Sequence, residues 1–144
     1  EHMPLGPRHE WDRTRMVTQA EILALLNERF TLSPAAEPRG AAPAELWQVE
    51  PDASQRGGLI GVIPSVTAPF CGSCDRTRLT ADGQLRTCLF SRTELDLRGP
   101  LRAGASDLEL AELWTGAHSR KAAAHAIGEP GFVQPDRTMS AIGG

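Results

Sequence analysis

The capacity for chemistry in this chain is concentrated in one stretch, Phe70-Cys71-Gly72-Ser73-Cys74-Asp75-Arg76-Thr77-Arg78-Leu79-Thr80, which runs into Ala81-Asp82-Gly83 and returns through Cys88 to Phe90. A two-residue gap lets Cys71 and Cys74 grip one metal centre from a single turn, and the thirteen residues before Cys88 bring a third thiolate back along a second strand. Three cysteines is an odd number, which argues against a closed disulfide framework and leaves metal binding or thiol redox chemistry. A zinc ribbon wants a second Cys-x-x-Cys pair, yet Ser91 stands three beyond Cys88 and no histidine lies between residues 10 and 117. Zinc would have to draw its fourth ligand from far away in the chain. An iron-sulfur cubane tolerates three protein ligands and then keeps one iron open, much as catalytic zinc keeps an open position. Cluster, zinc site and redox pair all stay compatible with the spacing, which favours the cluster.

Arg76, Arg78 and Arg86 are interleaved with these cysteines, and a guanidinium can pair bidentately with a phosphate or carboxylate. The alternative is that they merely offset thiolate charge. Hairpin geometry bears on the choice. A two-residue Asp82-Gly83 loop would pair Arg78 with Thr87 and turn Arg76 and Arg78 away from the face of Cys88. A three-residue loop, with a type I turn at Ala81-Asp82 and Gly83 left-handed in the bulge position, pairs Thr80 with Gln84, Arg78 with Arg86 and Arg76 with Cys88 on one face. Because Gly83 sits third, the sequence predicts the three-residue form.

Helices and strands must hold this hairpin. Thr18-Gln19-Ala20-Glu21 has the capping-box pattern, and Ile22, Leu25, Leu26 and Phe30 follow at helical spacing, so a helix over 19–30 is predicted with that stripe in the core. From Ser33 to Ala44 the chain carries Pro34, Pro38, Gly40 and Pro43, which predicts an irregular surface loop of no functional weight. Glu45 to Glu50 and Gly58 to Ile63 read as two paired strands joined by a turn over Pro51 to Gly57. A second capping box, Ser106-Asp107-Leu108-Glu109, precedes Leu110, Leu113, Trp114 and Ala117 and predicts a long helix over 107–127. His118 and His125 would then share one face of it, as a packed or solvated pair rather than a metal site. There is no internal repeat.

At 144 residues and 40% hydrophobic content, the chain can bury a modest core. A formal charge of −3 gives no electrostatic case for nucleic acid or an anionic membrane. The absence of any long apolar run argues for a soluble, cytoplasmic protein. Glu1-His2-Met3-Pro4-Leu5-Gly6 reads like the end of a strand, as if cut from a longer protein, and strands without their upstream neighbours would present open edges.

The cysteine stretch resembles the molybdenum cofactor biosynthesis protein A family, the radical S-adenosylmethionine GTP 3',8-cyclases. The likeness is carried by Met3-Pro4-Leu5-Gly6, by the run from Phe70 to Thr80, by Cys88-Leu89-Phe90, by Trp114 and His125, and by the ending Met139-Ser140-Ala141-Ile142-Gly143-Gly144. It covers all but the proline-rich loop. Asp75 departs from the family's usual asparagine.

The resemblance implies an α+β fold. Residues 1–32 would finish an incomplete (β/α) radical-S-adenosylmethionine barrel, and 33–144 would form a cluster-binding region with a small sheet and flanking helices. It implies that Cys71, Cys74 and Cys88 hold a [4Fe-4S] cluster whose open iron meets the guanine of GTP, that Arg76 and Arg78 contact the nucleotide, and that Gly143 and Gly144 reach into the active site. The whole enzyme, a lyase, would also bind S-adenosylmethionine and another [4Fe-4S] cluster through an upstream Cys-x3-Cys-x2-Cys motif, so the present piece alone is expected to be inactive. A 5'-deoxyadenosyl radical would take hydrogen from C3' of the ribose, which then bonds to C8 to give 3',8-cyclo-7,8-dihydro-GTP. The downstream cyclic pyranopterin monophosphate synthase is the implied pathway partner, and a homodimer is among the assemblies it allows. Without the resemblance, the residues also suit a stand-alone iron-sulfur or zinc-stabilised binding module.

Overall fold

Thr18 starts the first helix through both halves of a capping box. Its hydroxyl accepts from the Glu21 N–H at 3.2 Å, and the Glu21 carboxylate accepts from the Thr18 N–H at 2.7 Å. These contacts, the backbone N–H foremost, hold the Glu21 carboxyl below its ordinary pKa. In the computed structural model, which describes residues 1–3 and 11–142, helix α1 spans Gln19–Asn27. It ends short of the expected 30 because Arg29 and Phe30 both donate to the Leu26 carbonyl, at 3.1 and 2.9 Å, and so close the last turn. Its apolar stripe is not core, contrary to expectation: no residue of α1 is buried, and Leu25 is 61% exposed. Met16, Val49, Val62 and Val66 fill that small interior instead.

The described residues divide into two compact units, one made mainly of Asp12–Cys74 and one mainly of residues 75–142. In the first, strands β1 (Leu32–Pro34), β2 (Glu45–Val49) and β3 (Gly58–Val62) form an antiparallel sheet in that order. The β2–β3 pairing expected from sequence is present, with Trp47 opposite Ile60. Strand β1 corrects the expected loop, because Ser33 and Pro34 pair with Gln48 and Trp47. Proline is tolerated there since β1 is an edge strand, where a missing donor costs no ladder bond. His2 and Val17 exchange backbone hydrogen bonds, both 3.0 Å, in an isolated bridge. The Glu1 carboxylate accepts from the N–H groups of Val66 (2.7 Å) and Gln19 (3.2 Å) and from the Thr67 hydroxyl. Burial alone would raise its pKa, but these hydrogen bonds outweigh it and lower the value.

In the second unit, β4 (Arg78–Leu79), β5 (Gln84–Arg86) and β6 (Leu95–Asp96) form another small antiparallel sheet with β5 central. A short helix α2, Arg98–Arg102, holds Pro100 in its first turn, where the absent N–H has no intrahelical acceptor. Helix α3 spans Asp107–Ser119 with the expected Ser106–Glu109 capping box complete. It stops eight residues before the predicted 127. Local propensity would carry Ala122 to Ala124 onward as helix, but the chain leaves the axis after Arg120 and buries Ile127, which is 1% exposed. His118 and His125 therefore do not share a helical face. Leu85, Ile127 and Ile142 are buried in the interior of this unit.

The architecture is thus mixed α+β with two small antiparallel sheets. Among the described residues, no helix is long and apolar enough to cross a membrane.

Candidate functional site

The Cys71–Cys74 spacing resolves into one tight turn, a 3-10 helix over Cys71–Ser73. Ser73 donates to the Phe70 carbonyl and Cys74 to the Cys71 carbonyl, each at 3.2 Å, so a single turn carries both sulfurs. Phe70 is held in turn by the Arg39 guanidinium, 5.2 Å from its ring centroid, while Arg39 pairs with Glu45 at 2.9 Å. The proline-rich loop is therefore not neutral, because it supplies the cation that braces the residue before Cys71. A lone arginine amid prolines carries no pattern from which that role could be read.

The hairpin has the register expected from Gly83 between Arg78 and Arg86, but the ladder ends there and does not extend to the expected pairing of Arg76 with Cys88. Arg78 faces Arg86 and Leu79 faces Leu85, the Gly83 N–H donates to the Thr80 carbonyl at 2.9 Å, and the Thr80 N–H donates to the Gln84 carbonyl at 2.9 Å. Gly83 has φ +79, and a Cβ there would lie 2.6 Å from the Arg98 Cβ, so both conformation and space demand glycine. Arg76 and Arg78 are half-buried, and the Arg76 carbonyl accepts from the Lys121 ammonium at 2.9 Å. Arg86 is different: it is 2% exposed, donates to Glu94 at 2.6 Å and also donates to the Ser91 carbonyl. Of the three interleaved arginines, Arg86 is thus an internal structural cation.

Cys88 follows the hairpin in a turn of its own, its carbonyl accepting from Ser91 at 3.2 Å and its sulfur accepting from the Phe90 N–H at 3.4 Å. It lines a cavity of about 390 Å³ with Thr87, Arg92, Arg120, His125 and Phe132. Phe90 packs on His125 with centroids 4.7 Å apart and edge-on against Phe132 at 6.3 Å. His125, expected on the late helix, is instead brought beside Cys88.

All three cysteines are half-buried thiols. Cys71 and Cys74 belong to the first unit and Cys88 to the second. Among the described residues, no three or more His, Cys, Asp or Glu side chains are drawn together closely enough to hold a metal ion. None of the thiols is in a disulfide, Cys71 and Cys74 share one turn, and the Phe90 N–H donates to the Cys88 sulfur, a contact of the kind cluster thiolates accept. Of the opening signature, Pro4, Leu5 and Gly6 lie outside the described residues, as do Gly143 and Gly144 at the end.

Residues 1–127 match the Molybdenum Cofactor Synthesis C family. The chain belongs to that family. A GTP 3',8-cyclase from Corynebacterium glutamicum is 64% identical over the whole of this chain, which covers 38% of that protein. GTP 3',8-cyclases from Mycolicibacterium smegmatis and Mycobacterium ulcerans are 54% and 53% identical, again over the whole chain and 40% of each relative. The chain thus spans about two fifths of the length of the curated relatives it matches.

Proposed function

We propose that this chain is the cluster- and nucleotide-binding part of a GTP 3',8-cyclase, which converts GTP to 3',8-cyclo-7,8-dihydro-GTP at the start of molybdenum cofactor biosynthesis. The observation that carries this reading is the hairpin register, which sets Arg78 opposite Arg86 and returns the strand toward Cys88. Identity of 64% across the whole chain with a protein of that name supports it.

In this reading Cys71, Cys74 and Cys88 would hold a [4Fe-4S] cluster. With only three thiolates to hold it, the cluster would keep one iron available to a nitrogen or oxygen of a purine. Arg76 and Arg78 supply forked N–H donors for the phosphates, and Arg86, already neutralised by Glu94, keeps the strand beneath them rigid. The backbone N–H of Phe90 donates to the Cys88 sulfur at 3.4 Å and so orients it. Binding of S-adenosylmethionine, the radical step and the other [4Fe-4S] cluster belong in this proposal to the portion of the relatives that the chain does not match. The proposal also includes a (β/α) barrel whose end residues 1–32 would form, residues 33–144 as the GTP-binding part, the Gly143-Gly144 tail in the active site, and a separate synthase that takes up the product.

Iron and sulfide quantitation of the anaerobically reconstituted full-length protein tests the cluster. Replacing Cys71, Cys74 and Cys88 by alanine should remove about four of each per chain. Loss of about one zinc and no sulfide would mark a zinc-stabilised binding module instead. In a GTP titration, Arg76→Glu or Arg78→Glu should weaken binding by about tenfold or more; unchanged affinity would remove them from the site.

A further inference from the structure

A charged network in the second unit joins segments far apart in sequence. The Arg137 guanidinium forks onto Asp82, with Nη1 donating to Oδ1 at 2.9 Å and Nη2 to Oδ2, while its Nε lies 3.1 Å from Glu94 Oε1. That same oxygen accepts from the buried Arg86 at 2.6 Å. Asp82 is the turn residue of the hairpin and also accepts from the Thr80 hydroxyl. Two arginines and two carboxylates therefore alternate in one balanced chain of contacts. A bidentate arginine within a network is the geometry in which partly exposed ion pairs carry real coupling.

Position gives the network its meaning. Arg137 is followed directly by Thr138, whose carbonyl accepts from Ala141 at 3.0 Å in the 3-10 helix Met139–Ile142. Ile142, 3% exposed, anchors that turn in the interior. Charge at one end and apolar burial at the other thus pin residues 137–142. The same Asp82 sets the turn between Arg78 and Arg86.

We propose that the Asp82–Arg137–Glu94–Arg86 network is a clamp that docks the last segment of the chain onto the arginine hairpin, making Arg137 a positioning residue for the carboxy-terminal tail. The catalytic consequence rests on the reading that hairpin and tail serve the same nucleotide. Docking itself does not depend on it. The Arg137 guanidinium is engaged by Asp82 and Glu94, so its effect on the hairpin passes through these two carboxylates.

Hydrogen–deuterium exchange on the full-length protein, without nucleotide, tests the docking. Arg137→Gln should speed exchange over 138–142 by about tenfold, the factor expected for losing a charge-assisted hydrogen bond, and leave α3 unchanged. Asp82→Asn, which can still accept from Thr80 and leaves the Arg137–Glu94 contact, should speed it in the same direction, and the double variant should add little to Arg137→Gln because both remove the Asp82–Arg137 contact. Arg137→Lys, with charge but no fork, should fall between. In turnover by the reconstituted enzyme, Arg137→Gln should lower kcat about tenfold while GTP affinity changes less than about twofold, since the tail rather than the phosphate contacts is released. Unchanged exchange in both single variants, or fully additive effects, overturns the clamp. Faster exchange with wild-type kcat overturns the positioning role alone. A wild-type protein that binds no GTP sinks the cyclase reading, while the exchange result still decides the clamp.

Discussion

The outer strand β4 and the middle strand β5 present arginines directly opposite one another, Arg78 against Arg86, on the same side of one small sheet. Their surroundings differ sharply. Arg86 is closed off from solvent between Glu94 and the Ser91 carbonyl, whereas Arg78 is half-buried on an edge strand. Two residues of one type, adjacent in space and drawn from one motif, thus divide into a structural cation and a candidate ligand-binding cation. The strand's place in the sheet decides which is which. A central strand is covered on both sides and must bring a counter-charge for any cation it carries, while an edge strand can leave its cation partly in water.

The division is broken most directly by truncating each arginine. Arg86→Ala removes the partner of a shielded Glu94 and should cost about 3–5 kcal/mol of stability, as breaking buried pairs does. Arg78→Ala should cost less than about 1.5 kcal/mol in the same urea titration, since the interactions of a side chain that stays partly in water are screened by solvent. The GTP titration should invert the order, with Arg78→Ala losing affinity outright and Arg86→Ala, where it folds, retaining most of it. Equal stability losses for the two would mean that both are structural and would remove Arg78 from the proposed site.

A smaller effect is expected at the turn that puts the two arginines in register. Gly83→Ala forces an alanine to φ +79 and drives its Cβ to 2.6 Å from the Arg98 Cβ. The cost should be about 1–3 kcal/mol in urea unfolding. A neutral result would show that the loop can adopt another register and that the pairing of Arg78 with Arg86 is not obligatory.

This register was legible in advance because a left-handed glycine third in a hairpin loop has few local alternatives, and both capping boxes were legible for the same reason. The role of Arg86 was not, since Glu94 and Ser91 become its partners only through the turns that follow Cys88. Helix α3 shows the same limit. Its start follows from Ser106 and Glu109, but its end is set by the burial of Ile127 and the packing of His125 on Phe90, contacts that no periodicity encodes. Arg39 against Phe70 and Arg137 against Asp82 are further long-range pairs of this kind, drawn from segments that looked featureless.

The smallest effect belongs to the acid end of the pH scale and probes the edge of the same hairpin. Asp82 accepts hydrogen bonds from Arg137 and from the Thr80 hydroxyl, and these hold its carboxyl well below the ordinary value of 3.8. A carboxyl with a depressed folded-state pKa stabilises the fold fully above its unfolded value and loses that contribution as pH falls toward the folded one. The urea midpoint of the wild-type protein should therefore exceed that of Asp82→Asn by a constant margin near neutrality, and the two should converge as pH is lowered from about 4 to about 2. Because both partners are partly exposed, the margin should also shrink in high salt, unlike the loss at Arg86. Curves that stay parallel through the acid range would show that Asp82 acts only through its turn geometry. The charged contact between hairpin and tail would then carry no weight, and the contrast between β4 and β5 would rest on burial alone.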